Sequence, residues 1–150
     1  MKIYQLRVSI VGIGRVYRII EVSDQCTFDK LQNTIFNSFE MDEEHLYSFF
    51  ITKVDSKSYR IIRDSMEITR PLNAHDGIGF APRKKSADET KIEYADLNDK
   101  DVFHYIFDFG LDILHRIRVV SVREAEDNKC QIKVLKSIGK LQREPSDIYE

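Results

Sequence analysis

The sequence predicts an α+β domain in which a mixed, mainly antiparallel sheet opens with two strands and a helix and carries that one main helix packed across it. Three observations predict it. Tyr4, Leu6, Val8 and Ile10 recur at every second position, the apolar spacing turns helical between residues 28 and 39, and three strand-like runs fill the last third of the chain.

Size and composition set the frame. A chain of 150 residues fits one domain and can bury roughly 70% of the surface it exposes when unfolded. With 42% hydrophobic and 32% charged residues, nine Phe and seven Tyr, it is too apolar and aromatic for a disordered chain. A formal charge of -2 excludes an overall basic field that would draw the whole molecule to nucleic acid or anionic lipid. Arg7, Arg15 and Arg18 interrupt the early apolar stretch and no small-residue cleavage site follows it, so a signal peptide is not expected. No window approaches the roughly eighteen uncharged apolar residues of a membrane span. Cys26 and Cys130 stand far apart and outside any C-x-x-C pairing, so the expectation is no disulfide scaffold, no cysteine-type zinc site and a cytoplasmic location.

The elements follow in order. Residues 4–10 and the β-branched run 16–22 read as a hairpin turning at residues 12–15, where Gly12 and Gly14 break the pattern. Phe28, Leu31, Ile35, Phe36 and Phe39 then fall on one stripe of a helix with Thr27 as N-cap. Its ring-rich stripe needs the sheet as a cover. Residues 46–53 and 59–62 read as a second hairpin around a turn at 55–57. Residues 70–90 have loop composition, with Pro71, Gly77, Gly79, Pro82 and the charge run Arg83, Lys84, Lys85. They read as an excursion within a domain spanning residues 1–140, followed by a polar tail at 141–150. Runs 102–109, 113–122 and 131–137 read as strands, the first two joined by a turn in which Gly110 accepts positive φ and Asp108 and Asp112 bond turn amides. The opening order of two strands and a helix is β-grasp-like by analogy.

The stretch Phe107, Asp108, Phe109, Gly110, Leu111, Asp112, Ile113, Leu114, His115 resembles the tyrosine-aspartate-phenylalanine-glycine-aspartate-aspartate-tryptophan-x-histidine signature of the plasmid pRiA4b ORF-3-like domain. Three further segments are similar to that family in order: Tyr4 to Val11 with Val16, Tyr17, Arg18 and Ile19; Thr27 to Leu31; and His45, Leu46, Tyr47, Ser48, Phe49. Leu111 stands where the signature has Asp and Ile113 where it has an aromatic, while residues 136–140 resemble the family's shorter C-terminal variant. The resemblance implies an α+β domain of unassigned function, with occasional naming as a transposon resolvase.

For chemistry, the strongest constellation is His45, His104, Asp108, Asp112 and His115, because imidazole and carboxylate bind metals or move protons near neutral pH. Within it His45, Asp112 and His115 are the candidate metal ligands, although turn-capping Asp and edge-bonding His are the plainer roles. Asp108, Phe109 and Gly110 spell a kinase tripeptide without the rest of the kinase machinery. Gly12 and Gly14 are followed by a strand and lack the third glycine of a dinucleotide fingerprint. Cys26 precedes a helix, where a dipole lowers a thiol pKa, yet a buried inert cysteine is the plainer reading. Arg15, Arg18, Arg83, Lys84, Lys85, Arg116, Arg118 and Arg123 could form a nucleic-acid surface, but Arg116 and Arg118 alternate with apolar residues as on any wet sheet face.

The sequence therefore favours a non-catalytic protein-interaction or ligand-binding module without a cofactor. Its candidate binding residues are His45, Tyr47, His104, Asp108, Gly110, Asp112, His115 and Arg18. The expected partner is a protein or small ligand, with a homodimer reasonable through an uncapped sheet edge and no membrane involved. A metal-dependent enzyme built on the His/Asp cluster and a nucleic-acid binder associated with mobile elements are the rivals.

Overall fold

The computed structural model describes residues 1–41, 46–70, 84–108 and 111–141. Its strands are β1 (Lys2–Ile10), β2 (Tyr17–Ser23), β3 (Tyr47–Ile51), β4 (Met66–Thr69), β5 (Lys84–Ser86), β6 (Val102–Phe107), β7 (Ile113–Glu124) and β8 (Ile132–Ile138). Helix α1 (Phe28–Ser38) follows β2, and the short α2 (Tyr59–Arg63) lies between β3 and β4. Among the described residues all eight strands join one sheet in the order β5-β4-β3-β6-β7-β1-β2-β8. Only the β4–β5 pairing is parallel, so the sheet is mixed and mainly antiparallel.

Alternation decides which side each strand shows to α1. Tyr4, Leu6, Val8 and Ile10 of β1 are all buried, while Arg7 between them is exposed. Thr27 caps α1, its Oγ1 accepting the Lys30 amide at 3.2 Å. Phe28, Leu31, Ile35 and Phe39 are buried beneath it and Phe36 packs against the same core. The rings interlock with the sheet: Phe28 tilts onto Phe49 at 5.2 Å and Phe36 onto Phe107 at 5.7 Å. On the opposite side of the sheet a smaller core gathers Phe50, Ile62, Ile106 and Leu114.

Several expectations give way here. Residues 59–62 are not the return strand of a hairpin but the body of α2, capped by Ser58, whose Oγ accepts the Ile61 amide at 3.4 Å. The true partner of β3 is β4, four residues farther along, with Ser48 opposite Thr69. A four-residue apolar and charged run fits either period, and the need to seal Phe50 with Ile62 decides for the helix.

The 70–90 excursion is not all loop. Lys84–Ser86 form β5 along β4, and the residues after it bury Ala87 and Thr90 against the start of α1. The Phe28 amide donates to the Thr90 carbonyl at 3.0 Å and the Asp29 amide to that of Ala87 at 3.1 Å, so this segment satisfies helix N-terminal donors. Residues 71–83, and with them Arg83, lie outside the described residues, as do residues 142–150 of the tail.

The two cysteines are joined. Cys26 and Cys130 form a disulfide across a sequence separation of 104, with Cα atoms 4.6 Å apart, against the expectation of no such bond. The pairing of β8 with β2 causes it, because it returns residue 130 to the loop that leaves β2. With the pair bonded, cysteine usage no longer argues for a reducing compartment. Among the described residues no helix is long and apolar enough to cross a membrane.

Candidate binding face

The His/Asp constellation is divided by strand geometry. His104 stands opposite Arg116, and its neighbour Tyr105 stands opposite His115. Adjacent positions on a strand face opposite sides, so His104 and His115 lie on opposite faces of the sheet. His104 is fully buried with Nδ1 2.9 Å from the Thr52 hydroxyl, and burial lowers its pKa, opposed by Asp55. His115 is fully buried between Phe39 and Tyr105, and its Nδ1–H donates to the Ile113 carbonyl at 3.1 Å. Burial pushes its pKa down to about 4, so it is neutral in the fold. The Nε2 atoms of both rings are buried without a hydrogen-bond partner.

The two aspartates shape the turn through their backbone. Asp108 and Asp112 both take positive φ, at 61° and 50°, and the Asp108 carbonyl accepts the amides of Leu111 at 2.9 Å and Asp112 at 2.6 Å. Asp112 also pairs with Arg63 at 3.0 Å, and its carbonyl accepts the Tyr59 hydroxyl at 3.3 Å. Tyr47 is buried on β3 and donates to Asp29 Oδ1 at 2.7 Å; burial, then that hydrogen bond, raises its pKa. His45 and Gly110 lie outside the described residues. Among those described, no three His, Cys, Asp or Glu side chains gather as metal ligands would.

Arg18 is not a surface cation. It is 3% exposed, with its guanidinium over the Phe39 ring at 4.5 Å. Its Nε donates to the Ser38 carbonyl at 2.8 Å, and its Nη1 to those of Tyr17 at 2.9 Å and of Ile138 and Gly139 at 3.0 Å. This one side chain ties the end of α1 and the end of β8 to β2.

What the fold does bring together is a basic row of which the candidate basic residues read from the sequence included only Arg118. On the side of the sheet away from α1, α2 and its neighbouring loop cover β3 and β6, and the Arg116–Asp55 pair at 3.0 Å marks the border of that cover. Beyond it lies the face of β7, β1, β2 and β8. There the register sets Lys136 opposite Ile19, Ile19 opposite Arg7 and Arg7 opposite Arg118, which places three cations in one cross-strand row. Arg7, Arg118 and Lys136 are exposed, and among the described residues none of them pairs with a carboxylate. The neighbouring row is different, because Glu21 is neutralised by Arg123 at 3.0 Å and Lys133 at 3.4 Å, which hold its carboxyl below the usual range. Tyr17 lends its ring to Arg7, whose guanidinium lies 4.2 Å from the ring centroid.

Like charges directly opposite each other on a sheet destabilise it, so the Arg7–Arg118 juxtaposition favours the arrival of an anion. Its signal in the sequence was scattered, with Arg7 on β1, Arg118 on β7 and Lys136 on β8 each at a wet-face position, and such positions do not tell which strands will be neighbours.

The crystal structure of a protein of unknown function from Methanosarcina mazei Go1 is similar, with a TM-score of 0.62 and 20% identity over 88% of this chain and 68% of that one. At that identity the likeness shows the fold alone. Comparison with curated proteins finds no match. The sequence model of the plasmid pRiA4b ORF-3-like protein family matches residues 2–148, in agreement with the ordered motifs from β1 to the β6–β7 turn, and the chain belongs to that family.

Proposed function

We propose that this protein is a non-catalytic binding module whose working surface is the open face of β7, β1, β2 and β8, and that its partner is an acidic polypeptide. The observation that carries the reading is the row Lys136, Arg7, Arg118, three exposed cations with no carboxylate beside them among the described residues. An anionic partner relieves their mutual repulsion and gains charge-assisted hydrogen bonds. Ile19 within the row and Val120 beside it, the latter 46% exposed, supply apolar contact.

A polypeptide is favoured over single-stranded nucleic acid because binders of the latter stack successive bases on several rings. Tyr17 is the ring that these rows place on the face, and Arg7 already covers it. The β-grasp likeness of the opening elements is an analogy of arrangement and contributes nothing to this reading.

Titration calorimetry with poly-L-glutamate tests it, with a thymidine decanucleotide in parallel. Poly-L-glutamate should bind, weaken as salt rises, and lose at least about tenfold in affinity when Arg7→Ala and Arg118→Ala are combined. Tighter binding of the oligonucleotide would replace the polypeptide by nucleic acid. Absence of binding to either would remove the face as a binding surface.

A further inference from the structure

Strand β8 is attached to the molecule in an unusual way. It is an edge strand, its residues 133–137 are exposed, and of its side chains Ile132 is the one packed against the main core. Hydrophobic burial, which holds β1 and β7 in place, therefore does little for it.

Its backbone pairing with β2 and attachments at its two ends act instead. At the far end Arg18 holds the Ile138 and Gly139 carbonyls. Gly139 has φ of 73° and lies so close to the β1–β2 turn that an added Cβ would meet the Arg15 carbonyl oxygen at 2.5 Å. At the near end the Ser23 hydroxyl donates to the Lys129 carbonyl at 2.9 Å and accepts the Gln131 amide at 3.2 Å, and between these residues stands the Cys26–Cys130 disulfide.

The two residues of the disulfide differ in exposure. Cys26 is 1% exposed within the core, whereas Cys130 is exposed. From this asymmetry and the thin burial of β8 we infer that the disulfide is a redox latch on the edge strand: a dithiol reductant opens it, and β8 then comes away from β2 while the rest of the sheet stays folded. The open face loses Lys136 with the strand, so the latch regulates the basic row, and that last consequence rests on the proposed binding role.

The chemistry balances as ordinary thiol–disulfide exchange. A thiolate of the dithiol attacks Sγ of Cys130, the protein S–S bond breaks, and Cys26 departs as a thiolate that takes up a proton. The second thiolate of the reductant then attacks its own sulfur in the mixed disulfide. Cys130 is released, is protonated, and the reductant leaves as a cyclic disulfide, with two electrons transferred to the protein.

Amide hydrogen exchange on the oxidised protein and on the same protein held in dithiothreitol tests the latch. Protection along β8 should fall by at least about tenfold more than protection along β1 and β7, the signature of local opening. Cys130→Ser should reproduce this pattern without reductant. If β8 and the central strands lose protection together, or none changes, the bond is a general staple and the latch is wrong.

Poly-L-glutamate binding, measured on the same two samples, separates this inference from the functional reading. Binding that weakens several-fold on reduction supports both. Oxidised protein that fails to bind refutes the role of the face, and the exchange pattern still decides the latch.

Discussion

His115 and Tyr105 face each other across β7 and β6 with ring centroids 4.6 Å apart, and the imidazole is held neutral inside an aromatic wall. Its pKa of about 4 lies below the ordinary 6.5, so between these values the unfolded chain binds a proton that the folded chain refuses. Stability from this residue is fully present above pH 6.5 and is lost as pH falls toward 4, by about 3 kcal/mol in all. His104, shifted in the same direction, adds to the loss. Urea denaturation at pH 7 and pH 4.5 should show this decline, and His115→Leu should flatten it. An unchanged slope in that variant would assign the acid lability elsewhere.

Arg18 joins three elements, β2, the end of α1 and the end of β8, of which β8 is the one that hydrophobic burial holds least. Arg18→Ala leaves these carbonyls without their donor and should cost about 2 to 4 kcal/mol in chemical denaturation. Arg18→Lys should recover only part, because an ammonium lacks the planar fork that reaches Ser38 and Gly139 together. A loss below about 0.5 kcal/mol for the alanine variant would mean that water replaces the guanidinium.

The α1 stripe should behave as core. Leu31 is fully buried and Ile35 is 1% exposed, so either residue changed to Ala should lower stability by about 2 to 5 kcal/mol. Val120→Ala, on the open face, should stay within about 0.5 kcal/mol by the same measurement.

Zinc binding offers a check on the metal reading of the His/Asp cluster. With His104 and His115 on opposite faces and Asp112 paired to Arg63, calorimetric titration should show no affinity tighter than micromolar. Tight, stoichiometric binding would show that His45 completes a site with partners of its own.

Much of the fold was legible because burial writes a local period into a segment. The alternation from Tyr4 to Ile10 and the stripe from Phe28 to Phe39 each report which side of one element meets the core, and both elements stand where that period places them. The runs at 102–109, 113–122 and 131–137 contain β6, β7 and β8, although only β7 carries an alternation, since β6 is buried at every position and β8 is exposed over residues 133–137. Residues 59–62 were too few to show a period, and β5 is three residues held by pairing with β4 rather than by a pattern of its own.

The candidate site was less legible still. Arg18 looks like any cation alternating on a wet strand, yet it sits on the covered side of β2, opposite Val8. Arg7, Arg118 and Lys136 are 111 and 18 residues apart in sequence and become one row only through the β7-β1-β2-β8 order. By itself the sequence determined β1, β2, α1, β3 and the strands of the last third, the α1 cap and the family resemblance, since these depend on neighbours in the chain. The tertiary structure alone decided the disulfide, the separation of His104 from His115 and the assembly of the basic row, because strand order and register bring together residues that no local period connects.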